Sequence, residues 1–267
     1  VAGPHSLLAW ICAAATWWFD TSMDLWYSRQ AETWPEWPSI GKMIGGKTDM
    51  FRLSGNVERI QASATMAISA RAAAMKRAGE DVIALAAGEP DFDTPAHIVA
   101  AAKRALDEGF TRYTPAPGIP ELRSAWAAAI GAQRGVTYDA DQLIVTSGGK
   151  QAVFNLIYAL AGPGDEVIVP APYWVSYPEQ VRAVGATPVI VNTSPDDGFK
   201  LKPEALRAAM TDCTRLLIFN SPSNPTGSVY TAQELEALAS VLVECEVPVL
   251  ADEVYDALVY GLPFASF

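Results

Sequence analysis

From Met50 onward the chain alternates short, β-branched apolar runs with Ala- and Leu-rich stretches of helical period, and that alternation leaves few folds open. Strand and helix repeats of these lengths build a parallel sheet with helices on its faces, the α/β class. The spacing predicts strands over 81–86, 142–146, 166–170, 187–192, 215–220 and 247–251. Most of these runs are continuously apolar, as strands covered on both faces are. The helix signals between them are explicit. Thr94 followed by Pro95 predicts a cap with proline at the first helical position, and Thr231 with Glu234 predicts a capping box. After that box, Leu235, Leu238, Ala239 and Leu242 fall on one face. An opening helix is expected over 62–78, with Ile68, Ala72 and Met75 sharing a face. No repeat or low-complexity linker interrupts the series.

Residues 1–49 follow a different pattern. They hold six of the eight tryptophans (Trp10, Trp17, Trp18, Trp26, Trp34 and Trp37) and no helical or strand period. The apolar run 7–19 is shorter than the roughly 18 residues a membrane span needs, and no Lys or Arg precedes it as in a signal peptide. Neither a membrane nor a secretory role is expected, and the stretch reads as sequence upstream of a natural start at Met50. The net charge of −11 supplies no basic field for nucleic acid or acidic lipid. Three cysteines, Cys12, Cys213 and Cys245, stand far apart and fit neither a disulfide framework nor a zinc site, which suits a reducing cytoplasm. With only His5 and His97, a histidine metal centre or a Ser-His-Asp triad lacks its components.

Chemistry-bearing residues gather where predicted strands end. Thr146-Ser147-Gly148-Gly149-Lys150 leads from a strand into a helix: either a tight turn or a phosphate cradle, since free N–H groups at a helix start favour an anion. Pro170-Ala171-Pro172-Tyr173-Trp174 puts an aromatic just past the next strand, able to stack on a planar ring or to plug the seam between sheet and helix. Asn220-Ser221-Pro222-Ser223-Asn224-Pro225 is a turn that could hold the Asn224 amide in a fixed place. In Asp252-Glu253-Val254-Tyr255 the acid is either a helix cap or a functional carboxylate with a phenol three residues on. The functional readings gain weight from occurring together, in chain order, at one edge of one sheet.

On these residues the chain resembles the class I aminotransferases of the pyridoxal-phosphate fold type I group, most closely their bacterial aspartate aminotransferase branch. The resemblance runs from Met50 to about Tyr260 and includes Ala87-Gly88-Glu89-Pro90-Asp91, Tyr113-Thr114-Pro115 and Gly118-Ile119-Pro120-Glu121-Leu122-Arg123. It implies the three-layer α/β large domain of that group, ending before the small C-terminal domain. The implied organisation is an unrelated extension over 1–49, an N-terminal segment over 50–98 and an incomplete cofactor-binding domain over 99–267.

The resemblance also implies roles. Gly148, Gly149 and Lys150 would cradle the phosphate of pyridoxal phosphate, Trp174 would stack on its ring, and Asp252 would face the ring nitrogen and keep it protonated. Tyr255 and Asn224 would hydrogen-bond the ring's phenolate oxygen, while Gly88, Trp174 and Asn224 would meet the substrate. Tyr113 would reach the phosphate of a neighbouring subunit, which implies a homodimer. Lys150 is also a candidate for the distal carboxylate of a dicarboxylic amino acid. Cis peptides are expected at Ala171-Pro172 and Asn224-Pro225. The family's Schiff-base lysine would lie beyond Phe267, so no catalytic residue is assigned, and the chain is expected to be an N-terminal fragment that does not turn over by itself. Substrates would be an aspartate-like amino acid and a 2-oxo acid such as 2-oxoglutarate. Rival readings keep the fold with prephenate, aromatic, alanine or kynurenine substrates, or with a lyase or synthase reaction. A regulator's ligand-sensing domain would need a basic helix-turn-helix that residues 1–49 do not supply, and a nucleotide-binding module would need a G-x-G-x-x-G after a strand.

Overall fold

The runs Val167-Ile168-Val169 and Leu216-Leu217-Ile218 are almost wholly shielded from solvent, and successive side chains in each go to opposite sides of a sheet. A computed structural model describes residues 54–61, 64–85, 88 and 92–267. In it, Ser54–Phe267 forms one compact unit. The expected extension over 1–49 and the start at Met50 lie outside the described residues.

The sheet has four strands, β1 (Glu166–Ala171), β2 (Thr187–Asn192), β3 (Thr214–Asn220) and β4 (Val249–Asp252). They run in the order β2-β1-β3-β4, every pair parallel. Eight α-helices are found among the described residues. Four precede the sheet: α1 (Gly55–Glu58), α2 (Ala64–Arg77), α3 (Ala96–Asp107) and α4 (Pro120–Arg134). Next come α5 (Gly149–Leu160), which leads into β1, and the crossovers α6 (Ser176–Ala183), α7 (Pro203–Ala209) and α8 (Ala232–Glu244).

Two separate cores cover the two faces of the sheet. On one, Val153 and Ile157 of α5 and Tyr177 and Val181 of α6 pack with Val167, Val169, Leu216, Ile218 and Leu250. On the other, Leu206 of α7 and Leu235, Leu238 and Leu242 of α8 pack with Ile168, Leu217 and Phe219. This is the expected three-layer α/β arrangement. The crossovers leaving β1 and β3 lie on opposite faces, which makes the gap between those adjacent strands a topological switch point.

Several boundaries differ from expectation. Residues 81–85 form no strand. Nor does 142–146: Gln142 closes a 3-10 turn with Asp139, and Leu143 has extended dihedrals but no neighbouring strand completes a ladder. Apolar patterning reports burial, whereas a strand also needs backbone partners. β4 starts two residues later than expected, because Val247 donates its N–H back to Leu242 and Pro248 has no N–H to give. α3 begins at Ala96 with Pro95 as its cap residue and no side-chain cap from Thr94. In α2, Ala72 is buried and Met75 half-buried, but Ile68 is exposed; Ala62 lies outside the described residues.

The capping box on α8 is present in full, Thr231 accepting from the Glu234 N–H and Glu234 accepting from the Thr231 N–H. Burial alone would raise the Glu234 pKa, but hydrogen bonds from Lys200 and Thr231 outweigh it and hold the carboxyl below its usual range. A depressed carboxyl stabilises the fold above its ordinary value and loses that contribution as the pH falls through its folded value. Thr231→Ala is therefore expected to lower the unfolding free energy by about 1 kcal/mol in urea titrations at neutral pH. The difference from wild type should shrink as the pH drops below the ordinary glutamate range.

Candidate active site

α5 starts at a glycine pair with no side-chain cap. Gly148 occupies φ 84°, ψ 163°, a conformation that side chains rarely adopt, with open space where a Cβ would sit. The Ser147 N–H is taken by Gln151 Oε1 at 2.6 Å, and the Gly148 N–H by Thr146 O at 2.9 Å. The N–H groups of Gly149 and Lys150 have no such partner among the described residues and stand at the positive end of a 12-residue helix. That combination is a cradle for an anion.

A connected set of groups leads from this cradle along the sheet edge. Lys150 Nζ lies 4.9 Å from the centre of the Trp174 ring, and Gln180 Nε2 donates to the Lys150 carbonyl at 3.0 Å. Trp174 meets Tyr177 edge to face, with centroids 5.3 Å apart. Tyr177 donates its O–H to Asp252 Oδ2 at 2.7 Å, and the Val254 N–H approaches Asp252 Oδ1 at 3.3 Å. Asn220 Nδ2 donates to the Asp252 carbonyl at 2.8 Å while Asn220 Oδ1 accepts the Asn224 N–H at 2.7 Å. Asp252 and Asn224 are thus tied to the same β3 side chain. A cavity of about 30 Å³ opens between the carboxyl ends of β1 and β3, lined by Ala171, Pro172, Tyr173, Tyr177, Asn220 and Asn224.

The expected cis peptides at Ala171-Pro172 and Asn224-Pro225 are both present, with a third at Ser221-Pro222. Gly148, Gly149, Lys150, Trp174, Asn224 and Asp252 all lie along this connected edge. Tyr255 is half-buried and lies near Tyr177. Tyr113 stands fully in solvent, and Gly88 is exposed with open space around it. Among the described residues no hydrogen bond or ring contact joins either of them to the site. Ala87 and Glu89-Pro90-Asp91 lie outside the described residues.

Two participants went unforeseen, Tyr177 and Asn220. Tyr177 follows Trp174 by three residues at the start of α6, the spacing that places two side chains on one helical face. Asn220 is the last residue of β3, where its amide reaches both neighbours.

A sheet edge carrying an anion cradle, an aromatic plate and a half-buried acid in that order is the large-domain layout of a cofactor-dependent α/β transferase. The family model for aminotransferase class I and II matches residues 80–267, and the chain belongs to that family, whose cofactor is pyridoxal phosphate. It is 51% identical over 211 residues to an aspartate/prephenate aminotransferase of Thermus thermophilus, covering 79% of this chain and 55% of that protein. It is 45% identical over 211 residues to an aspartate aminotransferase of Bacillus subtilis, covering 79% and 54%. The structure of Thermus thermophilus aspartate aminotransferase with maleate superposes with a TM-score of 0.79 at 50% identity, covering 81% of this chain and 57% of that one. The aspartate aminotransferase of Rhizobium meliloti gives 0.78 at 42% identity, covering 81% and 55%. The chain spans about half the length of these relatives. Among the described residues no helix is long and apolar enough to cross a membrane, and no cluster of His, Cys, Asp and Glu could hold a metal.

The residues fit the cofactor by their own chemistry. Unengaged N–H groups suit its phosphate, Trp174 suits a flat ring, and an acid held by a phenol suits a ring nitrogen. Burial, and next the Asp252 negative charge, push the Tyr177 phenol far above its ordinary value, so it remains a donor throughout the neutral range. Burial also pushes Tyr230 up to about 12. A phenol whose pKa is raised on folding stabilises the fold below its unfolded value, about 10, and that contribution fades as the pH climbs above it. Alkaline titration followed at the tyrosinate absorbance should show the Tyr177 and Tyr230 phenols resisting until the chain unfolds. Tyr177→Phe should remove one of those two late phenols.

Proposed function

We propose that this chain is the cofactor-holding part of an aminotransferase that moves an amino group between an aspartate-like amino acid and a 2-oxo acid such as 2-oxoglutarate. The observation that carries the reading is the unbroken chain of contacts from Lys150 through Trp174 and Tyr177 to Asp252 along one sheet edge. Bound there, pyridoxal phosphate supplies an electron sink for negative charge developing at the substrate's α-carbon.

The chain's own residues do the holding. The Gly149 and Lys150 N–H groups bind the phosphate, and the helix dipole adds to the attraction. Trp174 sets the plane of the ring. The Asp252 carboxylate, aimed by Tyr177, holds a proton on the ring nitrogen, where its negative charge favours the protonated form. Asn224 and Tyr255 donate to the ring's phenolate oxygen, and Asn224, Trp174 and Gly88 meet the substrate. The Lys150 ammonium, 4.9 Å from the Trp174 ring centre, is the group available to a substrate's distal carboxylate. The maleate named with the Thermus thermophilus structure is a dicarboxylate, which supports that assignment. Prephenate as amino acceptor is the second reading, favoured by the aspartate/prephenate names of relatives from Thermus thermophilus and Cereibacter sphaeroides.

In the same reading the unrelated extension covers 1–49, the aminotransferase segment 50–98 and the cofactor-binding domain 99–267. Tyr113, standing in solvent, serves the site of a second copy in a homodimer, and the protein works in the cytoplasm. No lysine of this chain is assigned to bond the cofactor, so the chain alone is expected to bind it without covalent attachment or sustained turnover.

Equilibrium dialysis with pyridoxal phosphate tests the assignment. The chain should bind it, and Asp252→Ala and Trp174→Ala should each weaken binding by about tenfold or more. Unchanged affinity in both variants would remove the basis for placing the ring here.

A further inference from the structure

The turn that carries Asp252 and Tyr255 also holds two other acids, Glu253 and Asp256, and both are drawn to one buried guanidinium. Arg134, the last residue of α4, places Nη2 at 2.8 Å from Glu253 Oε2 and 3.0 Å from Asp256 Oδ2. Its side chain is only 9% exposed, and its guanidinium carbon lies 4.5 Å above the Phe264 ring. Nη1 is buried and has no hydrogen-bond partner among the described residues. The neighbouring Gln133 Nε2 donates to the same Asp256 oxygen at 3.1 Å, and Ser266 Oγ donates to the same Glu253 oxygen at 3.0 Å. The turn's own backbone contributes little more than Asp256 N–H to Glu253 O and Leu258 N–H to Tyr255 O. β4, on which Asp252 sits, is the shortest strand of the sheet and pairs on one side only.

We propose that Arg134 is a positioning residue, which by gripping Glu253 and Asp256 fixes where Asp252 and Tyr255 stand in the cofactor site. The inference rests on the reading of Asp252 given above. Two physical reasons single out arginine. The flat guanidinium lies over Phe264 while its Nη2 donates to both carboxylates from a fixed direction, contacts that an ammonium on a flexible stem would not hold in the same plane. Three carboxylates within five residues repel one another, and a cation fixed on Glu253 and Asp256 draws those two together while Asp252 is held by Tyr177. The grip comes from a helix far off in sequence that contacts neither the cradle nor the Trp174 plate in any bond described above, so its influence should fall on the ring nitrogen and phenolate oxygen and spare the phosphate.

The test compares two ligands that share a phosphate on a six-membered aromatic ring, pyridoxal phosphate and benzyl phosphate, the second lacking the ring nitrogen and the hydroxyl, methyl and formyl substituents. Their affinities are measured by equilibrium dialysis on folded protein, with near-ultraviolet circular dichroism as the check on folding. Arg134→Lys should weaken pyridoxal phosphate by about tenfold and leave benzyl phosphate within about twofold. Unchanged affinities for both ligands, or a loss of equal factor for both, would overturn the proposal, because a merely structural role moves the two together. Should Arg134→Lys fail to fold, Asp256→Asn, which keeps the Arg134–Glu253 pair, should still lower the preference for pyridoxal phosphate by about threefold; an unmoved preference overturns the proposal. Asp252→Asn separates the two claims. If it keeps the wild-type preference for the pyridine ring, the reading of the site fails, whereas loss there with none in the Arg134 and Asp256 variants sinks the positioning role alone.

Discussion

A sheet whose strands all point the same way returns every strand's carboxyl end to a single edge, and that constraint decides where chemistry can gather in this chain. β1 delivers Trp174 there, β3 delivers Asn220 and Asn224, and β4 delivers Asp252. The strands beneath are closely held: Val167, Ile168, Val169, Leu216 and Leu217 are fully buried, and each such side chain is worth roughly 1.5–3 kcal/mol against exposure. The crevice between β1 and β3 exists because their crossovers leave on opposite faces, α6 on one and α8 on the other. Function at this edge is therefore a consequence of strand order as much as of the side chains displayed.

Within that edge the bond between Tyr177 and Asp252 deserves the chemical weight because of what each partner cannot do. A phenol driven far above its ordinary pKa does not titrate near neutrality, so its proton stays on oxygen and the hydrogen bond keeps one direction. The carboxylate accepts it and retains negative charge for a partner on its open side. An imidazole in the same place would change its charge near neutral pH and with it the field at the acid. The same phenol packs edge to face with Trp174, so the aromatic plate and the acid share one support.

Sequence reasoning reached the parts of this arrangement that leave a local trace. Glycines before an uncapped helix, an aromatic just past an apolar run and an acid at a strand's end are each visible in a few residues; Trp174 and Asp252 stand at strand ends of the sheet as expected, whereas Gly148 follows a segment that forms no strand. The box of Thr231 and Glu234 is equally local. What patterning could not reach depends on a partner elsewhere in the chain. Residues 142–146 look like a strand because they are apolar, yet Ile144 is largely exposed, the Gln142 and Leu143 N–H groups bond within a local turn, and the Val145 N–H goes to Pro117. Tyr177 reads as an ordinary helical aromatic until Asp252, 75 residues away, is brought to its hydroxyl. Gly88 and Tyr113 were assigned by resemblance alone, to contacts with no expression in periodicity or spacing.

The anion cradle and the acid belong to elements that share no backbone ladder. α5 is not part of the sheet, and the segment before it pairs with no strand, so the separation between Gly149 and Asp252 is set by side-chain packing. Val153 and Ile157, one and two turns into α5, pack in the same cluster as Leu250, two residues before Asp252. Close-packed interiors transmit small volume changes as shifts of whole elements. A methyl group lost at Ile157 or Leu250 therefore acts on the distance that a phosphate-bearing ring must span, although neither residue touches the site. Hydrogen bonds orient the groups at each end of this site, and an apolar interface under them sets its length.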